Sequence, residues 1–164
     1  MRDCGQDGRN LPQIIWSCTV QQVNRYVNSL DYIPDAAGQD GNRWATPDET
    51  MQRHGGDCED LAIAKYYALR TLGVPQSQMQ LVHVRISARG EEHMVLVYRD
   101  DENGRDLVLD NLTDHIGSLR DRTDLLPVYS FNHTGLWIGG QQNGKRLDPN
   151  QISKWHQLRM AYQS

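Results

Sequence analysis

The chain reads as an α+β domain: helices first, then an antiparallel sheet, then a closing helix. Three observations carry that expectation. Apolar residues recur at helical spacing in the first part of the chain and again at its end. Between Gln80 and Leu112 they alternate with polar residues, as half-buried strands require. No repeat, linker or break in composition divides the 164 residues. Residues 11–164 therefore read as a single domain. The polar, Gly-containing stretch 1–10 before it is expected to be disordered.

Each element has its own signal. From Leu11 to Leu30, Trp16, Val20, Val23, Val27 and Leu30 follow one another at steps of three and four, a helical stripe. Asp35 to Arg43 is rich in Gly, Asp and Asn and reads as a loop. Thr46-Pro47-Asp48-Glu49 is a helix start, with Thr46 as N-cap, Pro47 in the first turn and Glu49 completing a capping box. That short helix should end near His54-Gly55-Gly56. A second helix is expected from Cys58 to Leu72, burying Leu61, Ala64, Ala68 and Leu72. Gly73 is its C-cap and Pro75 its stop.

Strands are expected over Gln80–Ile86, Glu92–Arg99 and Asp106–Leu112, the last two joined by the turn Asp101-Glu102-Asn103-Gly104. Pro127–Asn132 and Gly135–Ile138 read as shorter strands. Asp148-Pro149 opens a final helix with Ile152, Trp155, Leu158 and Tyr162 on its apolar side.

Composition excludes several classes. The chain is 38% hydrophobic with a mean hydropathy of −0.70, and its apolar runs are too short to span a bilayer. A net charge of −4 with interspersed acids and bases argues against a nucleic-acid partner. Three cysteines, Cys4, Cys18 and Cys58, are too few for a disulfide scaffold, and none forms a Cys-x-x-Cys pair. A Cys4–Cys18 bridge in an oxidising compartment would leave Cys58 free. Met1-Arg2-Asp3-Cys4-Gly5 is not followed by the apolar run of a signal peptide. Two readings stay open: a cytosolic protein, or a mature chain whose leader has been removed.

The chemistry gathers at Gly55-Gly56-Asp57-Cys58-Glu59-Asp60. A thiol in the first turn of a helix meets unpaired N–H groups and the positive end of the helix dipole, which favour thiolate. A cysteine hydrolase also needs an imidazole and a group to orient it. His93 and Asp110 follow in a workable order. A turn centred on Asn103 pairs residues whose numbers sum to about 203–205. His93 then lies opposite or nearly opposite Asp110, with Cβ atoms about 4.5–5.5 Å apart. Val95, Val97 and Val108 continue that face, and the Cys58 helix is expected to pack on it.

Asp57, Glu59 and Asp60 crowd negative charge around the thiol and would raise its pKa. They are either helix-dipole partners, the plain reading for Asp60, or ligands of a hard cation such as Ca²⁺.

Gly56-Asp57-Cys58-Glu59-Asp60-Leu61-Ala62-Ile63-Ala64-Lys65-Tyr66, preceded by Trp44-Ala45-Thr46-Pro47-Asp48-Glu49, resembles the bacterial transglutaminase-like cysteine proteinases, the LapG-type periplasmic proteases. His93-Met94-Val95-Leu96, Leu107–Leu112 and Pro127–Asn132 resemble them too, so the likeness runs over residues 11–138. It implies a papain/transglutaminase-like fold with Cys58 as nucleophile, His93 as base and Asp110 as its orienter. It implies calcium dependence through Asp57 and Glu59, and a periplasmic location. It also implies a large cell-surface biofilm adhesin as substrate, cut near its N-terminus at an Ala-Ala-Gly-type site. The partner it implies is the periplasmic domain of an inner-membrane cyclic-di-GMP receptor.

By the same resemblance Trp44 is either an indole donor to the oxyanion or a core residue fixing its loop. Two rival functions remain: a papain-like acyl transferase or amidase of transglutaminase type, and a non-catalytic calcium-binding module. His54, His83, His115, His133 and His156 lack metal-ligand spacing and read as surface or structural residues. Trp137 and Trp155 read as packing residues. Gly139–Lys145 matches P-loop spacing, but Arg146 stands where Ser or Thr must hold Mg²⁺, so that match is discarded.

Overall fold

A computed structural model describes residues 11–34, 43–101 and 103–162, with side chains from Cys18 onward. The expected disordered start and most of the loop over 35–43 lie outside the described residues. Helix α1 spans Leu11–Asn28, and a two-residue strand β1, Asp31–Tyr32, follows it. Helix α2 (Pro47–Arg53) carries the expected capping box: the Thr46 hydroxyl accepts from Glu49 N–H, and the Glu49 carboxylate accepts from Thr46 N–H. His54 caps its C-terminus in the left-handed region, at φ 56°.

Strand β2 is Gly55–Gly56, and it pairs in parallel with β1. Both glycines are dictated by close approach. A Cβ on Gly55 would lie 2.1 Å from the Asp31 carbonyl oxygen, and one on Gly56 would lie 2.6 Å from the Asp60 Cβ. Helix α3, Cys58–Thr71, begins directly after this pair. It ends as the sequence predicts. Gly73 takes φ 100°, its N–H donates to Arg70 O, and Val74 N–H donates to Leu69 O. This is the two-bond closure that a left-handed residue after a helix permits.

Six antiparallel strands follow: β3 (Met79–Ile86), β4 (Glu91–Asp100), β5 (Arg105–Asp110), β6 (Thr113–Ser118), β7 (Leu125–Phe131) and β8 (Leu136–Ile138). Their order in the sheet is β6-β5-β4-β3-β7-β8. Pro127 sits at a register shift of the β3–β7 ladder, where its missing N–H costs no regular bond. Helix α4 (Ser153–Ala161) closes the chain, with Trp155 and Leu158 buried as expected.

Four expectations are corrected. The β5 strand stops at Asp110, and Leu112 is exposed. Edge strand β6 was not foreseen, because Asp114-His115-Ile116-Gly117 offers one apolar side chain and no alternation. The buried stripe of α3 is too narrow: Ile63, Tyr66 and Leu69 are fully covered, whereas Leu72 caps the helix and is exposed. The helix is enclosed by α1 on one side and the sheet on the other, so one stripe cannot describe it.

The fourth correction concerns the sheet face. Helix α3 packs through Ala62, Ile63, Tyr66 and Leu69 on Leu81, Met94, Leu96 and Leu109. Val95, Val97 and Val108 point the other way, into a second apolar layer with Val82, Val84 and Leu125. Both faces of the sheet are apolar, so alternation alone does not say which one receives the helix. The mixed helix-and-sheet architecture itself is the expected one.

Candidate active site

The nucleophile candidate is placed by its neighbours' carboxylates. Asp57 is the N-cap of α3, and its Oδ1 accepts from Asp60 N–H at 3.1 Å. Asp60 returns the bond: Oδ2 accepts from Asp57 N–H at 3.4 Å, and Oδ1 accepts from Ala45 N–H at 3.0 Å. Asp60 thus ties the Trp44-Ala45 segment to the helix start. Trp44, half-buried, stacks on Phe131 with centroids 5.9 Å apart. Cys58 is a free, half-buried thiol, and Met94 N–H donates to its Sγ. The first turn of α3 therefore meets β4 one residue beyond His93.

The electrostatics oppose the expected thiolate. Burial pushes the Cys58 thiol up, the Glu59 and Asp57 charges push it further, and the Met94 N–H offsets only part of this. The Asp57 carboxyl is pushed up to about 9, by burial first and then by contact with Glu59 and the charge of Asp60. Asp57 and Glu59 thus set two carboxyl groups close together at the start of the helix. Such an oxygen pair matches the donor chemistry of a hard divalent cation. Among the described residues no group of three or more His, Cys, Asp or Glu is arranged to hold a metal, so backbone carbonyls or water must complete any coordination sphere.

The other two candidates meet directly. His93 Nε2–H donates to Asp110 Oδ1 at 2.7 Å, with both residues buried. The β4–β5 ladder runs from Asp100 with Arg105 to Leu96 with Leu109, a sum of 205, so its continuation would set Val95 rather than His93 opposite Asp110. His93 lies two residues along the same face, and the imidazole spans that diagonal. With Nε2 committed to Asp110, Nδ1 is the ring nitrogen left for proton exchange with a thiol. Leu112 N–H also donates to Asp110 Oδ1, at 3.1 Å, and Arg122 Nη2 donates to Oδ2 at 2.9 Å. Burial would raise the pKa of Asp110, but the His93, Leu112 and Arg122 bonds outweigh it and hold the carboxyl below its usual range.

Two residues near this site escaped the sequence reading. Arg122 lies in the turn between β6 and β7, which has no periodicity to mark it. Lys65, two turns beyond Cys58 on α3, is only 1% exposed. Burial pulls its ammonium down to about 8, against the opposing pull of Asp110 and Asp114. Asn28 Nδ2 donates to the Asp110 carbonyl at 3.0 Å and to Asp114 Oδ1 at 2.9 Å. A polar layer from α1 and α3 therefore backs the end of β5.

Two other histidines are tied into the packing. His83 pairs with Glu92 and stacks on Tyr129. His133 contacts the Tyr66 and Tyr67 hydroxyls and Arg70, and burial pushes it down to about 4. Trp155 Nε1–H donates to Asn132 O at 3.1 Å, deep in the core. Cys18 is disulfide-bonded, while Cys4 lies outside the described residues.

The chain as a whole is similar to known proteins. The sequence profile described as bacterial transglutaminase-like cysteine proteinase (BTLCP) matches residues 6–143. EGTA-treated LapG of Legionella pneumophila superimposes with a TM-score of 0.80 at 34% identity, over 88% of this chain and 78% of that one. Calcium-bound LapG from the same organism gives 0.77 at 30% identity, over 94% and 92%. No curated protein matches the chain.

Proposed function

The chain belongs to the bacterial transglutaminase-like cysteine proteinase family, and on that premise we propose that it is a calcium-dependent periplasmic endopeptidase acting through Cys58, His93 and Asp110. The observation that carries this reading is the buried His93–Asp110 bond at 2.7 Å. It leaves imidazole Nδ1 available beside the strand residue whose N–H reaches the Cys58 sulfur.

The chemistry follows from those positions. The Cys58 thiol gives its proton to His93 Nδ1, and the sulfur attacks a peptide carbonyl carbon. The oxygen gains negative charge and is stabilised by N–H groups at the start of α3, with the Trp44 indole as a further donor. His93 returns its proton to the leaving amine as the C–N bond breaks, leaving a thioester. His93 then takes a proton from water, whose oxygen attacks the thioester carbon; the C–S bond breaks, the acid is released, and the imidazolium returns its proton to the Cys58 sulfur. Asp110 keeps Nε2 protonated throughout and stabilises the imidazolium between steps.

Asp57 and Glu59 would hold calcium, whose charge offsets the two carboxylates that otherwise raise the thiol pKa. Calcium-bound LapG at 30% identity supports a place for calcium in this reading. The Cys18 disulfide fits an oxidising compartment such as the periplasm. The substrate in this reading is the N-terminal region of a large biofilm adhesin. The regulator is the periplasmic domain of a cyclic-di-GMP receptor.

The test is cleavage of an adhesin N-terminal fragment by wild-type protein, by the same protein in EGTA, and after calcium is restored, with Cys58→Ala as control. Cleavage that EGTA stops and calcium rescues is expected. Cleavage indifferent to EGTA removes calcium from the reading, and full activity in Cys58→Ala removes the nucleophile.

A further inference from the structure

Asp110 is held at both oxygens, and the second hold comes from outside the strand pair that carries the site. Oδ1 accepts from His93 Nε2–H and Leu112 N–H, while Oδ2 accepts from Arg122 Nη2 at 2.9 Å. The guanidinium is itself fixed in place. Asp124 takes it in a two-bond fork, Nε to Oδ1 and Nη2 to Oδ2, each at 2.9 Å. The turn beneath it is closed by backbone bonds from Arg122 N–H to Ser118 O and from Leu125 N–H to Arg122 O. The Asp124 carbonyl in turn accepts from Ser87 N–H, after β3. Arg122 is thus a preorganised donor and not a solvent-facing side chain that happens to touch an acid.

We infer that Arg122 is a positioning residue of this site, holding the second oxygen of Asp110 and thereby fixing the plane and tautomer of the His93 imidazole. The inference rests on the endopeptidase reading for its kinetic consequence but not for its structural one. A carboxylate held only at Oδ1 can rotate about Cβ–Cγ. The imidazole, whose Nε2–H follows that oxygen, would then move with it. A displacement of about 1 Å at a reacting group is enough to cost about 10²-fold in rate.

Two readouts test it separately. The first is the His93 tautomer in the free enzyme, from long-range ¹H–¹⁵N spectra of ¹⁵N-histidine-labelled protein. Wild type is expected as the Nε2–H form, and Arg122→Ala as a mixture with Nδ1–H. The second is cleavage of the adhesin fragment with calcium present. Arg122→Ala should lower kcat about 10²-fold with KM within about twofold, and Arg122→Lys should recover part of the loss.

Arg120→Ala removes an exposed arginine from the same turn. It makes the same change in net charge and should leave both readouts at wild-type values. Asp124→Asn, which loosens the guanidinium without removing it, is the milder second variant and should lower kcat in the same direction. Wild-type tautomer and kcat in Arg122→Ala and Asp124→Asn together would overturn the inference. If wild type itself cleaves nothing, the endopeptidase reading fails, and the tautomer alone decides the role of Arg122.

Discussion

Replacing Asp110 by Asn removes one charge and turns one acceptor into a donor, in a place with no room for either change. The carboxylate accepts from three N–H groups at 2.7–3.1 Å and is almost wholly buried. An amide NH₂ facing His93 meets a donor. Flipped, it meets the Arg122 guanidinium, also a donor. Either orientation sets a donor against a donor in a buried place, and both take the charge from Arg122's inner partner. Breaking such a buried pair costs about 3–5 kcal/mol. For a domain of this size that lowers Tm by roughly 6–20 °C.

The pH dependence has a definite sign. Folding depresses the Asp110 pKa below its unfolded value of about 3.9. Its stabilisation is therefore complete above about pH 4 and is lost as pH falls through the lower, folded value. Melts of wild type and Asp110→Asn at pH 7, 5, 4 and 3 should show a wide gap that holds to about pH 4 and narrows below it. Cleavage at pH 7 should fall by about 10⁴-fold, the loss expected when an imidazole is released from its tautomer. A variant that melts with wild type, or a gap of constant width down to pH 3, would refute the reasoning.

Lys65 gives the opposite pH signature. Its folded pKa of about 8 lies below the unfolded value of about 10.4, so the unfolded chain binds more protons between them and stability rises with pH over that window. Relative to Lys65→Met, wild type should gain on the order of 2–3 kcal/mol from pH 8 to 10.5 in denaturant titrations, because Cys58, Tyr66 and Tyr67, whose pKa values burial raises, lower the stability of both proteins alike; equal slopes would remove the buried-ammonium account. Gly56→Ala would place a methyl 2.6 Å from the Asp60 Cβ and 2.9 Å from Oδ2. It should disrupt the capping carboxylate, lower stability by about 1–2 kcal/mol and weaken cleavage. An unchanged Tm with full cleavage would show that Asp60 does not need its present place. Gly55→Ala, 2.1 Å from a backbone oxygen, should be more damaging than Gly56→Ala by calorimetry.

The sequence carried those features whose signals are local. Thr46-Pro47-Asp48-Glu49 announces a helix start within four residues, and α2 begins there. A turn at Asn103 fixes the sum of paired numbers, which is why His93 and Asp110 can be placed on one face from the amino-acid order alone. What the pattern could not carry was the choice between two equally apolar faces, and α3 took the one with Met94 and Leu96. It also could not carry Arg122, whose contact with Asp110 depends on how a turn without alternation folds back over the strand ends. The thiol's electrostatics were half legible. The helix start and the three acids were both visible, but burial, the largest influence on Cys58, exists only once the chain has folded.

The β4–β5 hairpin has a practical corollary. His93 sits near the start of β4 and Asp110 at the end of β5, while the connecting turn lies seven residues past His93. At about 3.3 Å per residue that is roughly 23 Å from the His93–Asp110 pair. A fluorescent reporter, an affinity tag or a fresh pair of chain ends grafted at Asn103-Gly104 would stand clear of substrate and thiol alike. The enzyme could then be immobilised or made into a sensor from the end of the sheet that does no chemistry.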